Sequence, residues 1–152
     1  MRRATLIGLI VGGVAVFLVV SALLTRALSV GGAENSAITD LVRAEAGGDR
    51  AGVVAAITGC RTDPACLARA AAVTTALRRS GGVQIIEING STGFAVGSTL
   101  ATARVAWLAG ASLPRVQCVR VRSTGNVLTG FSIQLLKVSV RIRSNADCPS
   151  RF

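Results

Sequence analysis

The distribution of apolar and polar positions divides the chain into three regimes. From Ala4 to Leu24 no residue is charged, and this 21-residue apolar run matches the ~20 residues a helix needs to cross the hydrocarbon core. From residue 36 to about 79 the apolar residues recur at helical spacing. From residue 83 onward they alternate with polar ones, the period of a strand with one buried face. The expected order is therefore a membrane span, three helices, and about four antiparallel strands. That order predicts an α+β domain in which helices pack on one face of a curved sheet.

Within the helical region, Asn35 or Ser36 is the expected cap of a first helix reaching Ala46, with Ile38, Leu41, Val42 and Glu45 on one face. Gly47-Gly48 should stop it. Asp49 is placed to cap a shorter helix through Val53, Val54 and Ile57, ended by Gly59. Asp63 followed by Pro64 is a strong start signal for a third helix, rich in alanine and running to about Arg79.

In the strand region, VQIIEI (83–88), LATARVAWL (100–108) and RVQCVRVR (115–122) alternate. The turn-rich NGSTGFAVGST (89–99) is expected to start a strand near Phe94, and STGN (123–126) reads as a hairpin turn. In VLTGFSIQLLKVSVRIR (127–143), Phe131, Ile133 and Leu135 share one parity while Leu136, Val138, Val140 and Ile142 share the other. One face cannot hold both sets without an extra residue. A β-bulge at or near 135–137 is the expected solution, and it would bend the strand. The resulting concavity should be lined by Phe131, Ile133, Leu135, Val138, Val140 and Ile142, with alanines of the third helix opposite, and be filled or greasy, with no polar group obliged to point in. Trp107, Val105, Val119 and Val121 are expected in the core.

Charge fixes the orientation of the span. Arg2 and Arg3 immediately precede it, and basic residues stay on the cytoplasmic side. The expected topology is N-terminus inside and C-terminal domain outside, in the cell membrane. Ala27-Leu28-Ser29 also offers a signal-peptidase spacing, but a signal core is usually about 7–15 residues, so an uncleaved anchor is preferred. The expected organisation is an anchor over 1–29, a short flexible linker over 30–35 and an exported domain over 36–152. Gly8 and Gly12 form a G-x-x-x-G pair, whose spacing lets two helices approach closely in a homo-oligomer. The preferred reading is plainer, since glycine is common in membrane helices.

Cysteine usage agrees with export. Cys60, Cys66, Cys118 and Cys148 all follow the span, and an even count in a small exported domain reads as disulfides. Zinc would show closer cysteine pairs or histidine, and thiol redox chemistry would show C-x-x-C; the chain has no histidine. The expected pairs are Cys60–Cys66, a local clip around Asp63-Pro64, and Cys118–Cys148, tying a strand to the C-terminal tail. No metal and no cofactor is expected.

The sixteen arginines and one lysine, with abundant Ala, Gly and Val, suggest a GC-rich bacterial genome. Without Arg2 and Arg3 the 17 basic residues become 15 against 7 acidic, a net +8. Arg120 and Arg122 share one strand face, as do Arg141 and Arg143. Were those strands neighbours, a basic stripe would form that could attract an anionic ligand. A solvated outer face is the preferred reading. Nucleic acid is not an expected partner, because stacking aromatics are limited to Trp107 and four Phe. Acid–base catalysis is not expected either. Asp49 and Asp63 are caps, and Glu87, the one strand carboxylate, should face out.

The stretch AITDLVRAEAGGDRAGVVAAI (37–57), a helix ending in a Gly-Asp that starts a shorter helix, followed by long strands, resembles the nuclear transport factor 2-like (cystatin-like) superfamily over roughly residues 34–143. The chain departs from that pattern in its third helix before any strand, in the cysteine pair around it, and in lacking the Tyr and His of the enzymatic members' pockets. The resemblance implies a cone-shaped half-barrel. With an N-terminal span, the chain resembles type IV secretion inner-membrane scaffold proteins and the Mce-associated membrane proteins of actinobacteria. It then implies a non-catalytic, membrane-anchored scaffold or partner-binding module with other envelope proteins as partners. The alternative is an exported domain that binds an anionic or hydrophobic ligand.

Overall fold

The structure, a computed structural model, describes residues 2–90, 98–126, 130–143, 146–149 and 152. It is α+β. Helix α1 (Arg2–Gly47) is followed by α2 (Arg50–Ala56), a 3-10 turn (Cys60–Thr62) and α3 (Pro64–Leu77). Four strands then form an antiparallel meander in the order β1-β2-β3-β4: β1 (Val83–Asn89), β2 (Thr99–Ala109), β3 (Arg115–Asn126) and β4 (Gly130–Val138).

The first departure from expectation lies in α1. The span and the first domain helix are one helix of 46 residues, about 69 Å at 1.5 Å per residue. Residues 30–35 are helical, not a flexible linker, and Asn35 and Ser36 are interior positions that cap nothing. Asn35 instead accepts at its carbonyl from Thr39 Oγ1, at 2.7 Å. Two glycines at 31 and 32 weaken a helix, but helix on both sides carries it through. One window of α1, Gly8–Thr25, is long and apolar enough to cross a membrane. From Glu34 onward α1 turns one face into the domain: Glu34, Ile38, Leu41, Val42, Glu45 and Ala46 are all buried.

The other helix signals hold. Gly48, at φ 73°, ends α1. Asp49 Oδ1 accepts from Gly52 N at 2.9 Å to start α2, and Asp63 Oδ1 accepts from Ala65 N at 2.9 Å to start α3, with Pro64 in its first turn. After α3 the chain makes a close crossing. A Cβ on Gly81 would lie 2.8 Å from Gly110 Cα, and both glycines have positive φ. The loop into β1 and the turn after β2 approach to backbone contact here, which only glycine permits.

The sheet carries two bulges. Arg120 pairs with Lys137 and Val121 with Leu135, so Leu136 is the extra residue, within the segment that the parity flip marked. A second bulge was not anticipated: Ile85 pairs with Trp107 and Glu87 with Ala106, leaving Ile86 unpaired and 54% exposed. STGN is strand, not turn, since β3 continues to Asn126 opposite Gly130. The strand start expected near Phe94 lies outside the described residues.

The last strand is shorter than expected. β4 ends at Val138, and Ile142 returns only as a single bridge to Val116. Val140 is exposed, not inward. Its edge position on the departing chain leaves nothing to cover it. The outer edge of β4 is closed instead by the end of α2. Thr58 N donates to Leu135 O at 2.8 Å, and Ile57 bridges Leu135. Covering an edge strand removes a site for unwanted strand pairing.

Trp107, Val105, Val119 and Val121 lie in the core with Ala103, Leu135 and Val138, under the buried faces of α1, α2 and α3.

Candidate functional site

Each strand puts alternate residues on opposite faces, so β2 and β3 build two surfaces. The outer surface carries Thr102, Arg104, Cys118, Arg120 and Arg122; register places Thr102 opposite Arg120 and Arg104 opposite Cys118. The C-terminal tail lies over this surface. Cys148 is bonded to Cys118, with 5.7 Å between their Cα atoms, and Arg104 Nε donates to Ala146 O at 3.4 Å. The Arg120 guanidinium stands 5.7 Å from the centre of the Phe152 ring, a cation–π distance, and its Nη2 reaches Thr102 Oγ1 at 3.5 Å. Glu87 faces out, as expected, and meets Arg104 Nη1 at 3.7 Å.

The four arginines that would have formed a stripe on neighbouring strands do not lie side by side. Arg120 and Arg122 belong to β3, with Arg122 exposed. Arg141 and Arg143 flank Ile142, whose bridge partner Val116 is four residues from Arg120, about 13 Å along the strand. The cause is the early end of β4. Past Val138 the chain no longer runs as a regular neighbour of β3.

The second disulfide, Cys60–Cys66, has Cα atoms 5.2 Å apart and ties the 3-10 turn to the first turn of α3. Next to it is a cleft of about 70 Å³ lined by Ile57, Asp63, Cys66, Arg69, Leu136 and Lys137 among others. Among the described residues no cysteine is free and no group of three His, Cys, Asp or Glu side chains gathers. Gly8 and Gly12 lie in the exposed apolar window of α1, and a Cβ at either would meet nothing within 4 Å.

The inner surface was misjudged. It is not purely apolar. Gln117 shares the parity of Val119 and Val121 and is fully buried beneath α1. Its Nε2 donates to Glu45 Oε2 at 2.6 Å. Glu45 is fully buried as well. Burial raises its carboxyl from the ordinary 4.5 to about 7, against a smaller lowering by the Gln117 hydrogen bond. Desolvation penalises the ionised form of a carboxyl, which is why the shift is upward. Trp107 Nε1 on the same face has no partner, and Arg115 stands opposite Trp107 in β3. The signals were present: Glu45 falls on the helical stripe of Ile38, Leu41 and Val42, and Gln117 on the inward parity of its strand. The cluster supplies hydrogen-bonding groups at the meeting of α1 and the sheet.

Family models, characterised proteins and solved structures all give no match to this chain.

Proposed function

We propose that this protein is a non-catalytic, membrane-anchored module of a bacterial envelope assembly, with its disulfide-tied domain outside the membrane presenting surfaces to other envelope proteins. The observation that carries this reading is α1. One helix runs from an apolar span into the centre of the domain core. A rigid support of this kind suits a part that must hold a fixed place beside partners. Two disulfides suit an oxidising compartment. The interior supports binding at the surface over binding inside. Ile38, Leu41, Trp107 and Leu135 fill the space between helices and sheet, which leaves little room for a hydrophobic guest. The separation of Arg141 and Arg143 from Arg120 and Arg122 also weakens an anion-binding stripe. Similarity in chain order to the exported half-barrels of secretion and Mce-associated scaffolds points the same way.

The test is site-specific photo-crosslinking in intact cells from exposed positions Leu113, Val140 and Arg122, with the adducts identified by mass spectrometry. A recurrent adduct to one or a few envelope proteins is expected. Adducts to lipid or wall polymer alone would replace the scaffold with the ligand-binding alternative. Enzymatic turnover by the purified chain would remove both.

A further inference from the structure

We propose that Glu45 and Gln117 form a proton-dependent latch between α1 and the sheet, closed when the Glu45 carboxyl is neutral and loosened when it ionises. The geometry carries the idea. Both side chains are fully buried, and they are joined by one short hydrogen bond, Gln117 Nε2 to Glu45 Oε2 at 2.6 Å. The remaining oxygens, Glu45 Oε1 and Gln117 Oε1, are both buried without a partner. As an ionised pair this arrangement buries a negative charge and leaves two acceptors unpaired, each at a desolvation cost. One proton on Glu45 Oε1 changes the account. The acid becomes a donor matched to the amide oxygen, and the two side chains close a reciprocal ring of two hydrogen bonds. Ionisation removes the donor and restores the buried charge.

The surroundings offer the carboxylate little compensation. Among the described residues, the charged groups on the elements packed around this region are Asp49 and Arg50 at the start of α2, Arg78 and Arg79 after α3, and Arg115, on the same face of β3 two residues before Gln117. Arg115 Nε is itself buried without a partner. The Arg78 side chain lies against Gly48, and the Arg79 guanidinium turns to the Arg78 carbonyl while its backbone N–H bonds Ala46 O at 2.9 Å. The Glu45 carboxyl is raised chiefly by burial, with the Gln117 hydrogen bond acting the other way.

The position gives the latch its reach. Glu45 is two residues from the end of the same helix that enters the membrane, and Gln117 is near the start of the central strand β3. Opening there would release the last turn of α1 from the sheet while both disulfides stay closed, since Cys60–Cys66 joins the 3-10 turn to α3 and Cys118–Cys148 lies on the opposite face of β3 from Gln117.

A folded carboxyl titrating near 7 instead of 4.5 stabilises the fold fully below the lower value. That stability is lost as pH rises through the upper one. The chain suits this measurement. It has no histidine, its cysteines are bonded, and its single tryptophan, Trp107, is buried on the same inner face. The experiment is denaturant unfolding of the full chain in detergent, followed by Trp107 fluorescence. Between pH 5 and pH 8 the folded-to-unfolded ratio should fall by at least about ten-fold, on the order of tens of fold. Glu45→Gln keeps a reciprocal amide pair and should abolish most of that fall. A wild-type ratio that is flat across this range, or an equal fall in Glu45→Gln, overturns the latch. Should Glu45→Gln fail to fold, infrared spectroscopy of the wild type decides. A protonated carboxyl band at pH 6 that is gone by pH 9 supports the proposal, and no such band at pH 6 refutes it.

Discussion

Trp107 and Arg122 show how far one residue's place in the fold sets its worth. Trp107 is fully buried beneath the helices, and truncating a buried tryptophan leaves a cavity. Trp107→Ala should cost about 3–5 kcal/mol of stability. Arg122, exposed on the outer face, should cost under about 0.5 kcal/mol as Arg122→Ala. Arg120 differs from its neighbour two positions on. Its guanidinium stacks on Phe152, so Arg120→Ala should lie between these, at about 0.5–1 kcal/mol. Chemical denaturation of the three variants checks the order; equal small losses for Trp107 and Arg122 would put the tryptophan outside the core. The parity of each strand was enough to sort Trp107 from Arg122. It could not show Phe152 under Arg120, because that contact joins residues 32 apart in sequence.

At the scale of elements, caps and clips were legible and lengths were not. Asp49 and Asp63 were marked by short-range chemistry, a carboxylate two or three residues before the amide it accepts from. Asp63→Ala should therefore cost about 1 kcal/mol, read as a lower unfolding midpoint. The disulfides differ by loop size. Cys118–Cys148 closes a separation of 30 residues and Cys60–Cys66 one of 6. Loop-closure entropy assigns them about 3.5 and about 2 kcal/mol respectively. Paired Cys→Ser variants should rank in that order, and peptide mapping without reduction should recover both bonds. One equivalent of bound zinc with four free thiols would contradict the pairing. The bulge at Leu136 was legible because two residues, not one, separate inward Leu135 from inward Val138. The bulge at Ile86 was hidden because Ile85, Ile86 and Ile88 offer apolar side chains in both parities, and only pairing with β2 chose between them.

For the whole molecule, the consequence of a continuous α1 is distance. Among the described residues, the apolar window ends at Thr25 and burial in the domain begins at Glu34, nine positions along the helix or about 14 Å apart. In the proposed topology the domain stands close to the outer membrane face with no slack. Protease added to intact spheroplasts should then degrade the domain but spare the span, and carbonate washing should leave the chain in the membrane. Protection of the domain would reverse the topology. Inserting a four-glycine segment after Gly32 should leave domain stability within about 0.5 kcal/mol, because the buried residues of α1 among those described lie beyond it. The same insertion should abolish partner crosslinks that depend on a fixed height. Unchanged crosslinks would show that the rigid connection is not used.

The sequence by itself determined whatever depends on neighbours along the chain. The apolar run, the helix stops and caps, the alternation that sorts inward from outward residues, and the parity flip at 135–137 all act over a few residues. Tertiary structure decided what depends on distant partners. Helix continuity across 30–35 follows from stable helix on both sides. The end of β4 at Val138 follows from the chain leaving its partner strand, and it separates the two arginine pairs. The polar pair inside the core arises because Glu45 and Gln117, 72 residues apart, each lie on the apolar side of their own element. Each could be assigned to a buried face from its spacing alone. That the two faces meet, so that one buried amide answers one buried carboxyl, is a property of the packed helix and sheet.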